Sequence, residues 1–499
     1  MKAYRANLRG QENLIIVIMT VIALAALTSW LLSHGFMYDE AMVRWAKVLG
    51  VLGSEEIRLE NLSLLYPHLP LYSLVPFYYL PGMSFGAAPY FVSVLFVCLL
   101  LGIFLYHIRQ EEVNAFKRLL LVFLLVLHPA FLWGGTNGSQ LAMSMVMFYL
   151  LYHACQSMIA EHDVRSYISL GIILAVFFFV DGSAVFLFVA LLPMLAVIAP
   201  RRLMMASPVS IYFILSVPFF MSVFSWAWLN WVFEGDFLHF ITDPNSSYLG
   251  GYMELYKYPW LIDYGGRFFQ AMIASFGYAL IAYPIIIYFL LSTWNEGSRF
   301  KASFVLFVHP VLAIALATDQ YYLTHPMEIL VLINAAIMAE ITFIEIARKR
   351  VYWSVVGFLV VSLAGGWWMF LETANPDMNN WVDSFKTERV LVEDTDGSLR
   401  LGRWLSENRM DTLIDERSGY RALVARGDAV GMFLSYTGRF KIALDHAYPV
   451  IDQIVIPDPE SAIGKKDQIS QRYPKMYKEG LKGYKLVYSD NIWRVYRKV

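Results

Sequence analysis

Apolar runs of bilayer-crossing length recur through the first 371 residues, and they limit the fold more than any other feature of the chain. A helix needs about 20 apolar residues to cross the hydrocarbon core. Lipid offers no partner to an open N–H or C=O, so such runs are read as helices. The runs lie at 14–32, 88–108, 118–134, 139–160, 166–180, 183–199, 207–232, 267–292, 301–318, 326–346 and 351–371, which predicts eleven spans. Lys2, Arg5 and Arg9 precede the first run, which resembles a signal peptide in outline. It lacks a small-x-small cleavage pattern, so it is read as an uncleaved span. Asp181-Gly182 divides the stretch 166–199 into two spans rather than one.

Loop charges test that count separately. With the N-terminus in the cytoplasm, Arg109, Lys117/Arg118, Arg165, Arg201/Arg202, Arg299/Lys301 and Arg348-Lys349-Arg350 all fall on the inner side. The short outer loops near 135–139, 181–182 and 319–325 contain no Lys or Arg, the positive-inside pattern. An odd number of spans then places the C-terminal segment outside the cytoplasm.

Composition separates that segment from the rest. Residues 372–499 hold 20 of the 39 Lys+Arg and 19 of the 40 Asp+Glu, although the chain as a whole is 58% hydrophobic and 16% charged. The expected organisation is a transmembrane domain over 1–371, with long outer loops at 34–87 and 233–266, and a soluble extracytoplasmic α/β domain over 372–499. A net charge of −1 gives no basic face for nucleic acid. Cys98 and Cys155 both lie in apolar runs, which leaves no disulfide framework and no cysteine metal site in the tail. In the tail, 399–408 has helical spacing. β-like runs follow at 412–414, 441–444 and 453–456, then a helical stretch over 469–481 and a hairpin of 484–488 with 493–496.

Asp39-Glu40 follows the first span almost at once, at its outer end. A carboxylate beside low-dielectric lipid and aromatic rings is strengthened as a proton acceptor by desolvation. The plainer reading makes Asp39 the N-cap of an amphipathic helix 41–49, with Glu40 favourable at the positive helix end. Both loops are rich in aromatics and prolines, as in Tyr66-Pro67-His68-Leu69-Pro70-Leu71-Tyr72 and Tyr256-Lys257-Tyr258-Pro259-Trp260.

An outer loop that opens with Asp-Glu and continues to this Tyr-Pro-x-x-Pro-Leu-Tyr segment resembles the GT-C glycosyltransferases. The likeness is to the dolichyl-phosphate-mannose protein mannosyltransferases and the bacterial lipid A aminoarabinose transferases. The segment from His128-Pro129 through Gly134-Gly135-Thr136-Asn137-Gly138-Ser139-Gln140 is similar to that family's turn between its third and fourth spans. Gly402-Arg403-Trp404-Leu405-Ser406-Glu407-Asn408, with Tyr436-Thr437-Gly438-Arg439, is similar to the extracytoplasmic domain of bacterial members. Many relatives carry an acidic residue at the turn where this chain has Gln140.

The resemblance implies inverting transfer of a sugar from a polyprenyl-phosphate donor to an extracytoplasmic acceptor. Asp39 would be the general base, and Glu40 would orient it or bind acceptor. Adjacent carboxylates on a helix point apart, so no metal is expected, and no cofactor beyond the lipid-linked substrate. The donor phosphate needs cations near the outer headgroup plane, where Arg44, Lys47, Arg58, Lys257 and Arg267 are the choices. Arg267 comes first because it opens a span whose N-terminal amides also hold anions, and Arg58 second. Snorkelling to lipid headgroups is the alternative for both. Tyr66, His68, Asp181 and His325 would line the sugar pocket. A loop histidine packed on aromatics is the bland account of His68, and a helix cap that of Asp181. His128, before Pro129, is expected to satisfy a backbone group that the proline frees.

Two other classes compete. A non-catalytic assembly or scaffold subunit with a membrane-complex partner would keep the fold without the chemistry. A lipid-linked-sugar transporter would need polar residues along a mid-membrane path, whereas the ionisable groups here gather at the outer ends of spans.

Overall fold

A computed structural model describes residues 2–54, 66–80, 86–108, 113–161, 164–198, 207–242, 268–292, 305, 328–372, 376–386, 393–435, 437–446 and 451–499. The chain forms two compact units. One comprises Met1–Leu31, Tyr90–Trp226 and Leu255–Lys386, and the other Leu32–Pro89, Ala227–Glu254 and Thr387–Val499.

The first unit is helical. Among the described residues Gly10–Ser33, Ala88–Ile108, Pro208–Glu234 and Lys349–Leu371 are each long and apolar enough to cross a membrane. Three shorter apolar helices, Arg165–Val180, Ser183–Ala196 and Leu330–Phe343, lie beside them. The run expected over 118–134 is broken into Ala115–Val126 and Pro129–Thr136, bent by 72°. Pro129 has no N–H to continue the ladder, and His128 Nδ1 accepts the Ala130 N–H at 3.3 Å, as the sequence predicts. The run over 267–292 also divides, at Tyr283-Pro284, into Phe268–Ala282 and Ile285–Ser292. Asp181-Gly182 does separate two helices, Val164–Val180 and Ser183–Ile198. Most of the run 301–318 lies outside the described residues.

Two clusters mark the ends of this bundle. Arg118 bonds Asn13 and Glu12, and Tyr352 donates to the Lys117 carbonyl at 3.0 Å. Toward the other end, Trp381 donates to Thr136 Oγ1 at 3.0 Å and packs on Trp133, Trp367, Phe370 and Phe385, the last also against Trp30.

The second unit holds a five-stranded mixed sheet. Its strands are β1 (Thr412–Ile414), β2 (Met432–Leu434), β3 (Gln453–Pro457), β4 (Tyr484–Ser489) and β5 (Trp493–Lys498), in the order β2-β1-β3-β5-β4. β1 runs parallel to β2 and β3, while β5 is antiparallel to β3 and β4. Leu413, Ile454, Ile456, Phe440, Ile469 and Tyr496 share its core.

Three local expectations change. The stretch 441–444 is helical, within Gly438–His446, not a strand. Thr437 Oγ1 accepts the Phe440 N–H at 3.3 Å and so starts the helix, and Phe440 is fully buried in the core. The strand beside β1 is instead Met432–Leu434, which the sequence reading passes over. The stretch 469–481 forms two short helices, Gln468–Arg472 and Met476–Glu479, divided before Pro474.

Candidate functional site

The site is built on the helix Asp39–Leu52, which begins two residues earlier than expected. Tyr38 is its N-cap and makes no side-chain cap bond, so Asp39 is the first helical residue rather than the cap. Nor is the helix amphipathic, because every residue from Ala41 to Val51 is buried, Arg44 and Lys47 included. A buried charge must be matched, and the matches explain why a helix with two cations can be enclosed. Arg44 bonds Glu40 one turn earlier. Lys47 Nζ lies 2.5 Å from Glu416 Oε2, both side chains almost fully buried.

Glu416 opens the helix Glu416–Arg426, which packs on the Asp39–Leu52 helix. Asp415 caps it by accepting the Arg417 N–H at 3.0 Å through Oδ1, and its Oδ2 accepts the Gln468 N–H at 2.6 Å. Arg421, further along, reaches Asp39. Its Nη2 donates to Asp39 Oδ1 at 2.5 Å and its Nε to the same oxygen at 3.1 Å. Asp39 Oδ2 has no protein hydrogen bond among the described residues, and the side chain remains 20% exposed. One oxygen is therefore held and the other left open. At Glu40 and Arg44, Oε2 and Nη1 likewise have no partner.

Gly86 sets the closeness of this packing. Its φ is +77°, and a Cβ there would stand 2.8 Å from Val424 Cγ1 and 3.1 Å from Met42 Cε, so only glycine fits between the two helices.

The helix His68–Tyr72 also packs on Asp39–Leu52. His68 is buried and stands edge-on to Tyr72 at 5.2 Å, and burial lowers its imidazole to about 4, which keeps it neutral near pH 7. Tyr66 is buried with its ring against Phe240 at 5.2 Å. The Asp39-Glu40 pair, Tyr66 and His68 are thus parts of one unit. Asp181 belongs to the helical unit, where it is fully buried. There Oδ1 accepts the Ser183 N–H at 2.8 Å, the cap the sequence allows, and Oδ2 accepts from Ser144 Oγ at 3.3 Å. Arg58, Arg267 and His325 lie outside the described residues, as do Lys257 and Tyr436.

Sequence reasoning missed Arg421 and Glu416. Nothing local ties them to a motif near the N-terminus. It also placed the ionisable groups at span ends, whereas Glu340 is buried within the helix Glu328–Phe343, with neither carboxyl oxygen bonded among the described residues. Among the described residues no group of three His, Cys, Asp or Glu is arranged to hold a metal.

No family model and no curated protein matches the sequence. Solved structures do. ArnT from Cupriavidus metallidurans bound to undecaprenyl phosphate aligns over 97% of this chain and 98% of its own, with a TM-score of 0.53 and 11% identity. The same protein in the apo state aligns over the same shares with a TM-score of 0.51 and 12% identity. At such identity the likeness speaks for backbone architecture alone. The chain has a GT-C-like fold over nearly its whole length.

Proposed function

We propose that the protein is a membrane glycosyltransferase that moves a sugar from a polyprenyl-phosphate donor to an extracytoplasmic acceptor (a glycan, lipid or protein) with inversion at the anomeric carbon. The reading is carried by a GT-C-like fold that presents a carboxylate, Asp39, with one oxygen fixed and the other open. ArnT bound to undecaprenyl phosphate supports a polyprenyl-phosphate partner here.

In this reaction Asp39 Oδ2 takes the proton of the acceptor hydroxyl as that oxygen attacks the anomeric carbon. The carbon–oxygen bond to phosphate breaks, and its electron pair leaves with the polyprenyl phosphate. Glu40, held by Arg44, orients the base or the acceptor. Arg267 and Arg58 are the candidates for neutralising the leaving phosphate, and Tyr66, His68 and His325 those for the sugar, whereas Asp181 is a buried helix cap. No metal or cofactor is invoked. The N-terminus is cytoplasmic, residues 1–371 cross the inner membrane, and residues 372–499 face outward.

The test uses full-length protein in lipid nanodiscs, with undecaprenyl phosphate carrying a radiolabelled hexose, pentose or amino-pentose and an envelope fraction as acceptor. Asp39→Asn is expected to abolish transfer while donor still binds. Turnover unchanged by Asp39→Asn removes Asp39 from the mechanism. Absence of transfer by the wild type with every one of these donors would favour the scaffold alternative, for which the same ion pairs are simply ties between helices.

A further inference from the structure

We infer that Arg421 is a positioning residue for the base, so that the C-terminal α/β segment completes the catalytic site. The inference rests on the reading of Asp39 as base and adds a residue from far along the chain to it. Three observations carry it. First, Arg421 spends two donors, Nε and Nη2, on one oxygen of Asp39 and leaves Oδ2 open. A carboxylate with no such tether samples rotamers about χ1 and χ2, and only some of them point an oxygen toward an acceptor. A guanidinium fork bonded to Oδ1 fixes the plane of the group and presents Oδ2 in one direction.

Second, the helix bearing Arg421 is itself fixed. Asp415 caps its start, Gly86 admits close packing of Val424 and Met42, and the buried Lys47–Glu416 pair ties the two helices at a second point. Positioning needs a rigid support, since an error of about an ångström at the reacting atoms costs on the order of a hundredfold in rate. Third, Arg421 and Asp39 keep 18% and 20% exposure, unlike Lys47 and Glu416 at 1% and 0%. The two ion pairs on the same helices therefore differ in kind. One is sealed and structural, while the other stays partly exposed.

The experiment compares Arg421→Ala, Arg421→Lys and the double variant Glu460→Gln/Lys478→Gln with the wild type and Asp39→Asn, as full-length protein in nanodiscs with the labelled donors above. Arg421→Ala is expected to lower kcat by about a hundredfold with donor KM within about threefold, the pattern of an interaction that serves the transition state. Arg421→Lys keeps the charge without the fork and should recover part of that loss, roughly tenfold. Glu460→Gln/Lys478→Gln removes an exposed ion pair elsewhere in the C-terminal segment and should keep kcat within about threefold.

Arg421→Ala with wild-type kcat overturns the inference and leaves Arg421 as a tether only. A rise in kcat also overturns it, because the contact would then be a lock on the base. Loss of kcat together with folding, without recovery by lysine, overturns it too. If the wild type transfers no more sugar than Asp39→Asn, the reading of Asp39 as base fails, and this inference with it.

Discussion

Arg421 and Asp39 stand 382 residues apart in the chain, yet a guanidinium nitrogen of one lies 2.5 Å from a carboxylate oxygen of the other. The pairing joins the segment that follows the first apolar helix to the C-terminal segment within one compact unit. It also gives the open oxygen of Asp39 a fixed direction. An aspartate turned into bulk water with no cation facing it would have been a poor base for sugar transfer.

Asp39→Asn separates chemistry from architecture. An amide oxygen still accepts from Arg421, so the tether persists in weakened form, while the amide cannot take a proton. The expected outcome is loss of transfer by at least about a hundredfold, the scale of a missing general base. The midpoint of thermal unfolding should change little. Parallel rate and unfolding measurements on one nanodisc preparation check both halves.

The buried pair predicts the opposite division. Removing only one of Lys47 and Glu416 leaves an unmatched charge in an enclosed interface, and destabilisation of about 3–5 kcal/mol is expected. Lys47→Met/Glu416→Met replaces both charges with apolar groups and should recover most of it. Chemical denaturation of the four proteins closes a double-mutant cycle. Additive single effects would mean that the pair is not coupled.

Much of the membrane unit was legible because lipid enforces a long-range regularity. Apolar length and the Asp181-Gly182 punctuation place helices correctly among the described residues, whereas the run over 118–134 breaks at Pro129. Where the reading ran two short helices together, at Tyr283-Pro284, it underweighted a missing N–H. The tail was less legible. The hairpin of β4 and β5 and the strands at 412–414 and 453–456 announce themselves by β-rich runs between turns. Lys441–Leu444 carries the same kind of apolar run but lies in a helix that docks on the core through Phe440. At the site, position beside a span identifies Asp39-Glu40. Pairing such as Arg421 with Asp39 is set by tertiary packing alone and leaves no local trace.

Gly86 makes the interface between the two site helices testable by one methyl group. Gly86→Ala must hold an L-residue at φ +77° and push against Val424 Cγ1 at 2.8 Å. Left-handed backbone costs about 1–2 kcal/mol and overpacking about 1–3 kcal/mol more. The variant should unfold at lower denaturant and lose transfer in proportion to any displacement of Arg421. A variant as stable as the wild type would mean that the helices can separate freely, contrary to the packing.

Two buried groups in the second unit should give the stability profile opposing slopes. Burial, with the neighbouring Asp415 carboxylate, raises Asp467 from 3.8 to about 7, against hydrogen bonds from Ser418 and Ser470 that favour its charged form. Between those values the native state holds a proton that the unfolded chain has released, so stability falls as pH rises from about 4 to 7. Asp415 and Glu416 are raised by burial as well and add to the same slope, although Lys47 opposes the shift at Glu416. His68 acts the other way. Its imidazole is lowered from 6.5 to about 4, so the unfolded chain binds the extra proton and stability falls as pH drops through that window. Asp467→Asn should therefore tilt the unfolding midpoint toward greater stability at pH 6.5 than at pH 4, relative to the wild type. His68→Gln should tilt it in reverse. Thermal unfolding of the full-length protein across this pH range checks both signs, and a wild-type profile unchanged by either substitution would remove these two groups as its source.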